Sequence, residues 1–339
     1  MTDHVLSVYA SIKEIDRPDW SAVVNSVNAP AFYDYAFLRA YEQIPLQETE
    51  NFFYLTFGKP AVAVLPACIQ STGDALGSIS GLALPDRLPG DHILLTHVAH
   101  CYDTVIPANP GALTPSLADQ ACRALADLAR QSGLKWFAFQ NVDGSGVLAK
   151  LLTAAQLTKI PMNTRFRRPV ATYATVQDYV ADIPSKSGRA ALRRSHGQAR
   201  RAGMRVASPD PASGAAEAVE LCRRTTARHG TADYYPERLH EFVARAGDLV
   251  TVTEVRLGGR LATAAICLSD SMRFHLWAGG IDYEVTTQID SAFPLMLWPA
   301  VEETIMRRRP VFEAGRGNAA AKLRFHLEPL PLFAFVGRP

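Results

Sequence analysis

The chain has 339 residues, 48% of them hydrophobic and 20% charged, and a formal net charge of +2. That length predicts two domains of ordinary size, and that balance excludes a disordered chain, which would carry fewer apolar residues and more net charge. No stretch approaches the roughly 20 continuous apolar residues that span a bilayer, and Met1-Thr2-Asp3-His4 lacks the basic start and apolar run of a secretory leader, so a cytoplasmic protein is expected.

In chain order, residues 4–11 alternate as a short strand, while 19–27 and 32–44 carry apolar residues three and four apart, as helices do. Residues 51–57 and 61–69 read as strands joined by Gly58-Lys59-Pro60. A Gly-, Pro- and Asp-rich stretch, 71–115, interrupts the pattern, with short strands expected at 92–95 and 102–106. A loop of that length is either functional or disordered. A helix over 116–131 follows, with Ser116 as N-cap, a stripe of Leu117, Ala121, Leu125 and Leu128, and Gly133 as C-cap. Next come a strand over 134–141, a turn at 143–146 and a helix over 147–155. The middle of the chain predicts helices over 184–202, 213–229 and 236–246.

The second half then repeats the order of the first. Strands 249–257 and 261–268 flank Gly258-Gly259, and a strand 272–277, a long helix 289–308 and a short strand 311–313 follow. A turn 315–318, a helix 319–327 and a strand 332–336 close the series. The repetition predicts an α/β fold with mixed (α+β) sheets, built by duplication of one unit with a boundary near Arg165. Residues 1–165 would carry an acceptor-binding loop (71–115), and 166–339 a basic helix and an acyl-transfer loop. The five cysteines (Cys68, Cys101, Cys122, Cys222, Cys267) are scattered and never form C-x-x-C, so reduced, buried thiols are expected.

The sharpest constellation is Val311-Phe312-Glu313-Ala314-Gly315-Arg316-Gly317-Asn318, a buried strand entering a Gly-rich turn, with Lys322 one turn into the next helix. Backbone N–H groups of Gly315, Gly317 and Asn318 at a helix start can hold an anion or an oxyanion, and Lys322 can point back at the same spot. The plain alternative is a strand–turn–helix with solvated Arg316 and Lys322. Between 183 and 209 stand Lys186, Arg189, Arg193, Arg194, Arg200, Arg201 and Arg205 without one Asp or Glu. Lys186, Arg189, Arg193 and Arg200 share a helical face. Like charges repel, so such a face suits phosphate of tRNA, CoA or a nucleotide, unless acidic residues elsewhere neutralise it. Arg194-Ser195-His196-Gly197-Gln198-Ala199 matches the R-x-x-G-x-A phosphate loop of acyl-CoA enzymes, but a mid-helix position makes the match a coincidence.

In His97-Val98-Ala99-His100-Cys101-Tyr102-Asp103, neighbours in an extended chain point to opposite faces, so His100 and Cys101 would not pair as a nucleophile and base. His92, His97 and His100 lack metal-ligand spacing, and no metal is expected. Tyr102 and Asp103, with His100, are expected to bind substrate, Asp103 holding or deprotonating an ammonium group. His275, Asp282 and Tyr283, at a strand end, are candidates to line a pocket; Asp233-Tyr234-Tyr235 is a weaker one.

In their order, Arg189-x-x-Leu192-Arg193-Arg194 with Ala202-Gly203-Met204-Arg205-Val206, Thr226-x-Arg228-His229-Gly230, and Gly258-Gly259-Arg260-Leu261-Ala262 resemble the Fem-type, FemAB-like branch of the GNAT superfamily. Trp277-Ala278-Gly279-Gly280-Ile281-Asp282 and Phe312-Glu313-Ala314-Gly315-Arg316-Gly317, leading to Lys322-x-x-Phe325, continue the match. The resemblance covers about 165–335 well and the first half in outline. It implies two tandem GNAT-like domains and transfer of an aminoacyl group from aminoacyl-tRNA to an amine of a small molecule or peptide, a peptidoglycan precursor or an antibiotic intermediate. It also implies that Lys322 and Phe325 lie near the acyl carbonyl; Glu313 is a further substrate-binding candidate, and Arg189, Arg193, Arg200 and Arg316 are expected to hold tRNA phosphate. Ester to amide is downhill, so no bound cofactor is expected beyond aminoacyl-tRNA as co-substrate. The alternatives are an acyl-CoA-dependent N-acyltransferase and a non-catalytic module that binds RNA or cell-wall fragments.

Overall fold

The computed structural model describes residues 4–71, 91–229 and 234–339. Most of the first half of the 71–115 stretch (72–90), and Gly230 and Asp233, therefore lie outside the described residues. β1 (Leu6–Tyr9), α1 (Arg17–Ser26) and α2 (Tyr35–Gln43) lead into β2 (Thr49–Phe57), β3 (Ala63–Ser71) and β4 (His92–Thr96). Then come α3 (Pro115–Gln131), β5 (Phe137–Asp143), α4 (Val147–Ala154), β6 (Thr158–Pro169), α5 (Val176–Asp182), α6 (Lys186–Arg201) and β7 (Arg205–Ala207). α7 (Ala216–Arg228) and α8 (Leu239–Ala246) precede the hairpin of β8 (Val250–Leu257) and β9 (Arg260–Ser269). β10 (Arg273–Ile281), α9 (Phe293–Met306), β11 (Val311–Arg316), α10 (Ala319–Arg324) and β12 (Glu328–Gly337) follow.

The chain divides into two compact units, Met1–Thr164 with Leu330–Pro339, and Arg165–Pro329. Strand order is β1-β2-β3-β4-β5-β12 in the first and β7-β8-β9-β10-β11-β6 in the second. Each order is antiparallel except for one parallel pair, β4 with β5 and β10 with β11, as mixed sheets require. The final strand corrects one sequence expectation. Residues 330–339 were assigned to the C-terminal domain, yet β12 pairs with β5 from Leu332↔Asp143 to Gly337↔Phe137 and belongs to the first unit. The counterpart is β6, which follows α4 but pairs its residues 165–169 with β11. Each parallel pair thus gains a hydrogen-bonded neighbour for backbone that would otherwise stay unpaired.

Local chemistry explains the boundaries. α3 starts one residue before the predicted Ser116 cap, because the Thr114 hydroxyl accepts from Leu117 N–H and Pro115 takes the first turn. Its Leu117, Ala121 and Leu125 stripe is buried against Phe137, Phe139 and Leu65 in the core of the first unit. α5, unanticipated from sequence, is set by a capping box between Thr175 and Asp178. β6 and β7 were also missed: Pro161 and the many polar residues of β6 hide its alternation, and β7 has only three residues. In the second unit Phe274, Phe312, Phe166 and Leu297 form a core against α5, α6 and α9, each buried side chain stabilising by about 1.5–3 kcal/mol. All five cysteines are buried and reduced. Among the described residues no helix is long and apolar enough to cross a membrane.

Candidate functional site

In the second unit the parallel pairing of β10 with β11 ends before either strand does. β10 and β11 are in register from Arg273↔Val311 to His275↔Glu313, and both strands run on beyond that point. A bulge at Trp277 breaks the pairing of β10 with β9 between Leu276 and Ala278. On β11 the pairing with β6 shifts between Glu313 and Arg316, where Gly315 takes φ 67°. Bulges bend strands, and both lie beyond the last paired residues, His275 and Glu313. Gly279 and Gly280 let helices close on β10 from both sides: a Cβ on Gly280 would meet Cys222 N of α7 at 2.6 Å, and one on Gly279 would meet Met296 Sδ of α9 at 2.7 Å.

Lys322 lies where β11 runs into its turn. Gly317 (φ 75°) and Asn318 (φ 48°) continue the left-handed turn, and α10 is only six residues long. From α10 the Lys322 side chain reaches back towards the helix start, as helical side chains do, and donates to the Arg316 carbonyl at 2.8 Å. The residue is 3% exposed, and the ammonium sits 5.5 Å above the Phe166 ring. Burial first, and then the neighbouring Arg316 guanidinium, depress its pKa to about 7. Arg316 in turn donates to the Tyr234 hydroxyl at 3.1 Å. Behind the turn, Glu313 and Arg165 face each other at 3.5 Å, both buried. Tyr235 donates to the carbonyl of the bulged Trp277 at 3.2 Å and packs on its ring with Phe242. The sequence reading gave Tyr235 only as a weaker candidate and passed over the Arg165–Glu313 pair and the bulge, for which Trp277 beside two glycines was the available signal.

α6 presents the expected basic surface. Lys186, Arg193, Arg200, Arg201 and Arg205 are exposed with no carboxylate partner among the described residues, whereas Arg194 pairs with Asp290 at 3.0 Å. The Arg194–Ala199 match lies wholly inside the helix. α6 begins against α10, since a Cβ on Gly188 would meet the Arg324 carbonyl at 2.5 Å. The cationic surface therefore starts beside the helix that carries Lys322. A second concavity, about 300 Å³, lies between α7 and the end of β10, bordered by Arg224, Thr225, Arg228, Asp282, Tyr283 and Glu284.

Several predicted contacts are structural instead. Arg189 does not face phosphate: its guanidinium donates to the Ile183 and Pro184 carbonyls at the start of its own helix. Glu313 is 2% exposed against Arg165, and Phe325 is fully buried, stacked on Phe293. His275 is buried against Asp270 at 3.0 Å. His100 is fully buried with its Nδ1 3.1 Å from the Tyr41 hydroxyl, and Tyr102 and Asp103 are 5% and 6% exposed. Six of these seven side chains are at most 6% exposed, and Arg189 is part-buried. Residues 102–106 form no strand. The chain after β4 instead runs beside β5, with Thr104 N–H donating to Asn141 O, Asn141 Nδ2 to Cys101 O and Gln140 Nε2 to His97 O. In the first unit, buried main chain thus lies beside β5. Asp282 accepts from the Glu284 and Val285 amides, and Tyr283 lies at the surface concavity.

Comparison with known proteins places this geometry in a fold. Residues 186–323 match the family described as acetyltransferase (GNAT) domain. The crystal structure of FemX aligns with TM-score 0.66 at 9% identity, over 95% of this chain and 96% of that one. The C-terminal domain of a putative lysylphosphatidylglycerol synthetase from Agrobacterium fabrum aligns with TM-score 0.58 at 12% identity, over 97% and 93%. A tandem GNAT protein from the clavulanic acid biosynthesis pathway, without AcCoA, gives 0.56 at 12% identity over 98% of both chains. No curated protein matches the chain by sequence.

Proposed function

From a chain that folds as two tandem GNAT-like units, with an acetyltransferase (GNAT) domain over residues 186–323, we propose an acyltransferase that moves an aminoacyl group from tRNA to the amine of a small molecule or peptide. The observation that carries this reading is Lys322, a buried ammonium held on a glycine turn beyond the last paired residues of β10 and β11. An acceptor amine attacks the ester carbonyl of the aminoacyl group, the C–N bond forms and the bond to the ribose oxygen breaks. Lys322 in its charged form and the amides of the 315–318 turn meet the developing oxyanion; a donor so placed is worth roughly 3–4 kcal/mol. The proton lost by the amine ends on the departing ribose hydroxyl. Asp103 is not needed in this step, because the departing ribose oxygen takes the proton.

The donor assignment rests on α6. Its unneutralised cations, starting beside α10, suit a polyanion longer than one phosphate. Arg193 and Arg200 would bind tRNA phosphate, together with Arg316 at the turn. The second reading, an acyl-CoA donor, is favoured by the domain description alone. One assay decides: the protein is incubated with a pool of charged tRNAs and candidate amines, with and without RNase, beside a parallel reaction with acetyl-CoA. RNase-sensitive amide formation that Lys322→Ala abolishes supports the proposal. Turnover with acetyl-CoA alone, or near-normal turnover by Lys322→Ala, overturns it.

A further inference from the structure

We infer that the hollow between α7 and the end of β10 is the acceptor subsite, and that it takes a zwitterion, a free α-amino acid or short peptide with both ends charged. Its volume of about 300 Å³ is at the small end of ligand pockets, enough for a molecule of that size. Its lining carries charges of both signs. Arg228 has no carboxylate partner among the described residues; its guanidinium lies 4.3 Å from the Tyr283 ring centroid. The nearest carboxylate to Arg224 is Asp282 at 3.8 Å, and the other Asp282 oxygen already accepts two backbone amides. Glu284 also borders the hollow, is exposed and makes no ion pair among the described residues.

A ligand with a single charge would answer only one sign, whereas a carboxylate on Arg224 and Arg228 with an ammonium on Glu284 answers both. Guanidinium forks are the natural partners of carboxylate. The floor is rigid enough to discriminate. Tyr283 is also hydrogen-bonded to His229 at 3.0 Å, and the Thr225 hydroxyl accepts from Ile281 N–H at 2.8 Å, tying α7 to the strand. Ile281 is the last residue of β10, so the hollow sits at the end of that strand, beyond the residues that pair with β11. The term acceptor rests on the proposed function; the zwitterion site does not.

Calorimetric titration of the full chain tests the site with four probes: L-alanyl-L-alanine, its N-acetyl derivative, its C-terminal amide, and inorganic phosphate. The dipeptide is expected to bind, and Arg224→Gln, Arg228→Gln and Glu284→Gln each to weaken it about tenfold. The amide should lose affinity to the same degree and be insensitive to the two arginine changes. The acetyl derivative should be insensitive to Glu284→Gln. All three positions are exposed or part-exposed, and an unchanged melting temperature confirms that each variant is folded. No dipeptide binding, equal binding by the variants, or tighter binding of phosphate than of dipeptide overturns the inference. Hydroxylamine, a small uncharged nucleophile that needs no such pocket, separates it from the parent reading. Hydroxamate formed from charged tRNA without dipeptide binding sinks only the subsite, and dipeptide binding without any acyl transfer sinks only the transferase.

Discussion

Lys322 concentrates the residue-scale physics. Its ammonium is stripped of water, lies near the Arg316 guanidinium, and titrates at about 7 instead of 10.5. Because the folded value lies below the unfolded one, the unfolded chain binds more protons between about pH 7 and 10.5, and stability rises with pH across that window. Below pH 7 the full penalty applies, about 5 kcal/mol at 1.36 kcal/mol per pKa unit. Lys322→Met should therefore melt higher than the parent at pH 6.5, lose the rise in stability between pH 7 and 10, and be inactive. A melting temperature lowered at every pH would mean that the bond to the Arg316 carbonyl outweighs the desolvation. Since the charged form acts on the oxyanion, the rate should fall as pH rises through about 7. Lys322→Arg, charged throughout, should remove that falling limb. The buried Arg165–Glu313 pair predicts an opposite behaviour: Glu313→Ala leaves a buried guanidinium without its carboxylate, at a cost of about 3–5 kcal/mol, read as a lowered denaturant midpoint.

At the scale of elements, two features position the site. α7 and α9 touch β10 through Gly280 and Gly279, so Gly280→Ala, which forces a methyl against α7 backbone, should destabilise by about 1–3 kcal/mol in thermal melts. α6 acts through charge. Arg193→Glu with Arg200→Glu should raise KM for aminoacyl-tRNA at least tenfold, flatten the dependence of KM on salt and leave kcat nearly unchanged. A fall in kcat at constant KM would take α6 out of donor binding. Both features were partly legible. The basic run was plain from composition and spacing, and Ala278-Gly279-Gly280 marked a strand with crowded faces. Arg189 was not legible, because its helical spacing is that of the solvent-facing arginines although its guanidinium folds back on the 183–184 carbonyls.

For the whole molecule, the two units share one strand order, and each borrows its final strand from the chain beyond the other's last helix. Removal of residues 330–339 should raise amide hydrogen exchange in β5, which loses its neighbour, with little change in the β8–β9 hairpin; loss of protection in the hairpin first would contradict that partition. Equivalent parallel pairs exist in both units, and in the first the chain after β4 is tied to β5 by Thr104 N–H on Asn141 O and to β3 by Val64 N–H on Pro107 O.

The sequence by itself determined the mixed α/β class, the repeated order of strands and helices, the buried cysteines and the basic face of α6, because each depends on periodicity, turn chemistry or charge within a few neighbouring residues. Only the tertiary structure decided which strand closes which unit, since β6 and β12 find their partners through hydrogen bonds to distant backbone. It also decided which polar residues meet solvent. His100, Asp103, His275 and Glu313 have the same chemistry on paper as the rim of the α7–β10 hollow, but burial and a nearby partner depend on the packing of elements far apart in the chain.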